Sequence, residues 1–117
     1  MIATLLVGLV AAIHVYIVVL EMFLWDQPFG RRVFGNSAEF AAASKVLAAN
    51  QGLYNGFLAA GLVWGLMPGG GGVPVQLFFL GCVIVAGIYG AITVGIKILL
   101  VQAVPAALAM AAVLLSR

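Results

Sequence analysis

Residues 2–25, IATLLVGLVAAIHVYIVVLEMFLW, decide the fold class: in 24 positions the run carries one histidine, His14, and one carboxylate, Glu21. An α-helix needs about 20 predominantly apolar residues to cross a hydrocarbon core roughly 30 Å thick. The stretch is therefore predicted to be a membrane-crossing helix. No positively charged region precedes it and no small-residue cleavage site follows it, so it reads as a retained first helix and not a signal peptide. Trp25 and Asp26 mark an interface, and Pro28 with Gly30 ends the segment.

The rest of the chain has the same character. Of 117 residues, 66% are hydrophobic and 7% are charged, and the mean hydropathy is +1.28. A water-soluble core of this size could not hide that much apolar surface. The expected fold is an all-α integral membrane protein: a single domain, a four-transmembrane-helix bundle, and a homo-oligomer (dimer or trimer), because four short helices bury little surface alone. Beyond the first helix, the predicted helices cover residues 37–67, 76–96 and 98–116. The second starts in the interface through AAASK, and NSAEF reads as its cap, with Asn36 three residues before Glu39. PGGGGVP, residues 68–74, reads as the clearest break in the chain.

Four crossings would place Arg31, Arg32, Lys45 and Lys97 on one side, and Arg117 with the N-terminal amine on the other. The positive-inside rule makes the first side cytoplasmic and puts both termini outside, in a bacterial inner membrane. A net charge of +2, with scattered basic residues, excludes a nucleic-acid footprint. The single cysteine, Cys82, has no partner for an intrachain disulfide or a thiolate metal site.

Polar side chains in lipid cost free energy, roughly 2.5 to 3.5 kcal/mol for a central charge, so they normally face protein or a cavity. At a rise of 1.5 Å per residue, Glu21, Gln51, Thr93 and Gln102 fall about 6 Å from the cytoplasmic end of their helices, Asn55 and Tyr89 at about 12 Å, and His14 at about 16 Å. His14 and Glu21 are seven residues apart, Gln51 and Asn55 four, and Tyr89 and Thr93 four, so each pair is expected to share a helix face. These residues are predicted to line one polar pocket opening toward the cytoplasm. Bland roles stay open: interhelical hydrogen bonding for His14, Asn55 and Tyr89, and snorkelling or pairing with Arg31, Arg32 or Lys45 for Glu21. Trp25 and Trp64 read as interface anchors. Gly52 with Gly56, and Gly61 with Gly65, permit close helix approach, either in ordinary packing or at an oligomer interface. One histidine per chain cannot build a zinc site.

The blocks HVYIVVLEMFLW, KVLAANQGLYNGFLAAGLVWG and GIYGAITVGIK, with the chain length and helix layout, closely resemble the bacterial membrane-protein family labelled domain of unknown function 1304. A fainter resemblance is to the styrene oxide isomerases, through ANQGLYNG and AGIY. That resemblance implies a trimeric four-helix enzyme that converts epoxides to carbonyl compounds, with haem b between subunits. Its catalytic asparagine falls on Asn55 and its catalytic tyrosine on Tyr89. Where its haem-ligating histidine stands, this chain has Asn50 or Gln51, so His14 could ligate iron only from a subunit interface.

Two activities follow. One is an isomerase-like intramembrane enzyme for a small lipophilic epoxide. In it Asn55 and Tyr89 hold the substrate oxygen, Glu21 or His14 manages the proton, and Asn50, Gln51, Thr93 and Gln102 line the substrate. The other is a small proton-coupled exporter with Glu21 alternating between proton and substrate. An accessory subunit whose polar residues only fix packing is the third expectation.

Overall fold

The computed structural model describes residues 1–116; Arg117, assigned above to the outer side, lies outside the described residues. Among them the chain is all helical, with α1 over Ile2–Met22, α2 over Pro28–Phe34, α3 over Ala38–Leu66 and α4 over Gly72–Thr93. A last helical run follows as α5 (Ile96–Ile98), a π-helical turn (Leu99–Ala103) and α6 (Val104–Leu115). Three segments are long and apolar enough to cross a membrane: Ile2–Met22, Gly72–Thr93 and Ile96–Leu115. The longest helix, α3, is not among them, because it carries Glu39, Lys45, Asn50, Gln51 and Asn55.

The boundaries follow local chemistry. Proline disfavours the α conformation in the residue before it, and Gln27, before Pro28, is extended at φ −86°, ψ 158°. Pro28 then starts α2, where its missing N–H costs nothing. Gly35 ends α2 in the left-handed region at φ 69°, and the Asn36 N–H closes on the Arg31 carbonyl at 2.9 Å. Asn36 is thus occupied as the C-terminal closure of α2. The cap of α3 is Ser37 instead, whose Oγ accepts the Phe40 N–H at 3.1 Å, with Glu39 in the first turn favouring the positive end of the helix dipole.

Helix α4 begins at Gly72, ahead of Pro74, since a first-turn residue needs no N–H donor. In α6, Pro105 cannot donate to the Val101 carbonyl, and the wider π-helical turn ahead of it accommodates the ring.

The chain divides into two compact units, residues 14–57 and residues 1–13 with 58–116. In the latter, Val7, Val10 and Ala11 of α1, Leu62 of α3, Leu80 and Val83 of α4, and Ala106, Ala109 and Val113 of α6 form one buried core. Small residues allow the close approaches. A Cβ on Gly87 would lie 2.6 Å from the Ala103 backbone nitrogen, and one on Gly61 would run into the Phe79 ring. The Gln76 amide donates to the Gly65 carbonyl at 2.9 Å, tying the start of α4 to the end of α3. Gly61 and Gly65 are therefore used for packing within the chain.

Candidate functional site

In the unit of residues 14–57, α1 presents a buried face that an apolar membrane helix would ordinarily fill with aliphatic side chains. His14 is 0% exposed and Glu21 7%, two turns apart on that face. Opposite Glu21 stands Asn55 of α3, also 7% exposed. Its Nδ2 donates to Glu21 Oε1 at 2.6 Å.

Gly52 makes this pairing sterically accessible. One turn before Asn55, a Cβ at this position would lie 2.6 Å from Met22 Cγ and 3.1 Å from Glu21 Cβ, so α3 lies close against the end of α1. A Cβ on Gly56 would meet only Val18 Cγ2, at an ordinary 3.8 Å. The buried register of α3 in this unit runs through Ala41, Ala48, Gly52 and Asn55. Asn50 and Gln51 lie on its exposed side.

The end of this unit is held by a polar cluster that the sequence reading missed. Trp25 Nε1 donates to Ser44 Oγ at 3.0 Å, and the Ser44 hydroxyl donates to the Phe40 carbonyl at 2.6 Å. Trp25 also packs on Phe34 with ring centroids 4.8 Å apart. Asp26 pairs with Lys45 at 3.0 Å, and the hydrogen bond from that ammonium holds the Asp26 carboxyl below its ordinary range. The available signal was the sequence distance: Trp25 and Asp26 are each 19 residues before their partners, so the two contacts form as one zipper between the end of α1 and the start of α3.

Tyr89, Thr93 and Gln102 belong to the other unit. Tyr89 is 69% exposed and borders an open apolar groove on α4 with Leu77, Phe78, Gly81, Cys82, Val85 and Ala86. Thr93 is exposed, and its hydroxyl donates back to the Tyr89 carbonyl at 2.8 Å. Gln102 is half-buried within the π-helical turn.

These residues do not fit a haem. His14, the sole imidazole, is enclosed within its own chain, and the amides at Asn50 and Gln51 offer iron no imidazole nitrogen. Among the described residues no three His, Cys, Asp or Glu side chains gather to hold a metal ion. What the site can do is proton chemistry: a carboxyl oriented by an amide, screened from water, with an imidazole on the same helix face.

The chain is 32% identical over 104 residues to the uncharacterized protein YpaA of Lactococcus lactis subsp. lactis (strain IL1403), covering 86% of this chain and 87% of that one. No solved structure matches. The likeness of ANQGLYNG to the styrene oxide isomerases has no counterpart in these matches. Residues 8–114 match the family described as "protein of unknown function (DUF1304)", and the chain belongs to that family.

Proposed function

We propose that this is a multi-pass protein of the bacterial cytoplasmic membrane in which Glu21, oriented by Asn55, serves as an intramembrane acid–base group acting on a small lipophilic molecule. The observation that carries the reading is the 2.6 Å bond between Asn55 and a buried carboxyl on a predominantly apolar helix. A carboxylate at membrane depth is expensive and by default functional. A dry carboxyl held by a fixed amide is preorganised for proton transfer.

In the enzyme reading the substrate is an epoxide or a related strained oxygen compound. The Glu21 carboxyl gives its proton to the oxygen as the ring C–O bond breaks, a 1,2-hydride shift from the oxygen-bearing carbon to the cationic carbon forms the C=O bond, and the Glu21 carboxylate takes the proton back from the carbonyl oxygen. Asn55 has a second amide hydrogen with which to hold the oxygen. Conversion of a lipophilic epoxide by the purified protein in detergent, lost in Glu21→Gln, tests this reading; unchanged conversion in that variant removes Glu21 from the chemistry.

The pairing of the Asn55 amide with Glu21 favours a second reading, a small proton-coupled exporter. Protonation would loosen a pair that substrate can then replace. That reading expects flux driven by a pH gradient and abolished in Glu21→Gln, with no product formed. If every substitution in the pair lowers stability while neither conversion nor flux is found, the chain is an accessory subunit.

The same proposal takes α3 as a fourth crossing: its 29 residues span about 43 Å at 1.5 Å per residue. Arg31, Arg32, Lys45 and Lys97 then face the cytoplasm and the termini face outward. Assembly as a dimer or trimer completes the proposal.

A further inference from the structure

The connection between α1 and α3 carries groups that the fold leaves unmatched. Helix α2 ends with Arg31 and Arg32 in its last turn. Among the described residues neither guanidinium has a carboxylate partner, and Asp26 of the same connection pairs with Lys45 at 3.0 Å. Arg32 instead sits over the Phe29 ring, 6.0 Å from its centroid. On the same short helix Phe29, Val33 and Phe34 remain 46%, 45% and 39% exposed.

Unpaired cations interleaved with exposed aromatics, directly after a membrane-crossing helix, define the chemistry of what covers them. A soluble anion would neutralise the arginines and leave three large apolar side chains in water. An acyl chain alone would cover those side chains and leave two guanidinium groups without an anion. A molecule that joins an anionic headgroup to hydrocarbon satisfies both, and in a membrane that molecule is an anionic phospholipid.

We propose that α2 is a docking site for an anionic phospholipid, with Arg31 and Arg32 pairing its headgroup phosphate and Phe29, Val33 and Phe34 set among its acyl chains. The cation–π contact holds the Arg32 guanidinium beside the Phe29 ring, so that headgroup and acyl contacts fall next to each other. The site rests on the membrane-crossing reading and is independent of the chemistry assigned to Glu21.

The test uses the full chain carrying Trp64→Phe, which leaves Trp25, packed on Phe34, as the single tryptophan. Reconstituted in phosphatidylcholine vesicles, its fluorescence is quenched by increasing mole fractions of brominated phosphatidylglycerol or brominated phosphatidylcholine. Phosphatidylglycerol is expected to quench at several-fold lower mole fraction. Arg31→Gln and Arg32→Gln should each reduce that preference about fivefold, the contribution of one basic group near an anionic surface. Phe29→Ala should reduce it with the charge unchanged, Arg32→Lys should keep most of it, and Lys97→Gln should leave it intact.

Equal quenching of the unsubstituted chain by the two lipids overturns the proposal. So does a preference that falls as much in Lys97→Gln as in the arginine variants, which would mean diffuse attraction without a site. Loss of the lipid preference together with binding of poly-glutamate to the vesicles would assign α2 to an acidic protein instead. Absence of quenching by either lipid would sink the membrane-crossing reading as well, whereas equal quenching leaves that reading and the Glu21 chemistry standing.

Discussion

Asn55 and Glu21 meet in a place where neither can turn to water. Truncating Asn55 to alanine strips a buried carboxyl of its donor, and an unsatisfied buried group of this kind costs about 1 to 3 kcal/mol. Thermal unfolding in detergent should show that loss for Asn55→Ala, with Glu21→Gln less affected because an amide can still accept from Asn55. Equal stability of Asn55→Ala and the parent would mean that the bond contributes nothing. A second residue-level test concerns the start of α3. Ser37→Ala should cost about 1 kcal/mol, the usual value of a helix cap, while Asn36→Ala should leave stability nearly unchanged, since its backbone closes α2 and its buried Nδ2 has no acceptor among the described residues. The sequence alone favoured Asn36, because three-residue spacing to Glu39 satisfies the capping-box pattern equally well on paper. What it could not contain was the left-handed Gly35, which commits the Asn36 N–H to the preceding helix.

At the level of helices, α1, α4 and the last helical run were legible because a long apolar segment in lipid has one way to satisfy its own backbone. Helix α2 was not: its seven residues PFGRRVF hold a proline and a glycine, which read as punctuation until Pro28 is seen at a helix start. Counting residues gave depth along each helix but not the angle around it, and angle decides which side chains are buried. Gly52 and Asn55 face Glu21 while Gln51, one position away, does not share that face. In lipid the association of helices rests on packing and interhelical hydrogen bonds more than on exclusion of water, so the glycines at close approaches are the sensitive positions. Gly87→Ala should lower stability by about 1 to 3 kcal/mol, the usual cost of overpacking, because a Cβ there meets the Ala103 backbone and not a movable side-chain end. Gly81→Ala, whose Cβ would lie 3.8 Å from Met110 Cε, should stay within about 0.5 kcal/mol of the parent. Chemical denaturation of both variants in the same detergent checks the contrast.

For the whole molecule, the number of crossings is the property that composition suggested and three qualifying segments leave one short. In a Cys82→Ala background, Ala38→Cys and Met67→Cys, both exposed, place one thiol at the start of α3 and one just after its end. Four crossings predict labelling by a membrane-impermeant maleimide from opposite faces of the membrane; labelling from the same face would show that α3 does not traverse. The five residues between Leu66 and Gly72, two of whose neighbouring glycines adopt φ near +70° (Gly69 at 75° and Gly72 at 69°), bear on how that traverse is achieved. A segment as polar as the first half of α3 partitions poorly from the translocon when it arrives alone. Joined by so short a hinge to the far greasier α4, α3 would cross, under the four-crossing proposal, as half of a hairpin whose insertion waits for the synthesis of its successor.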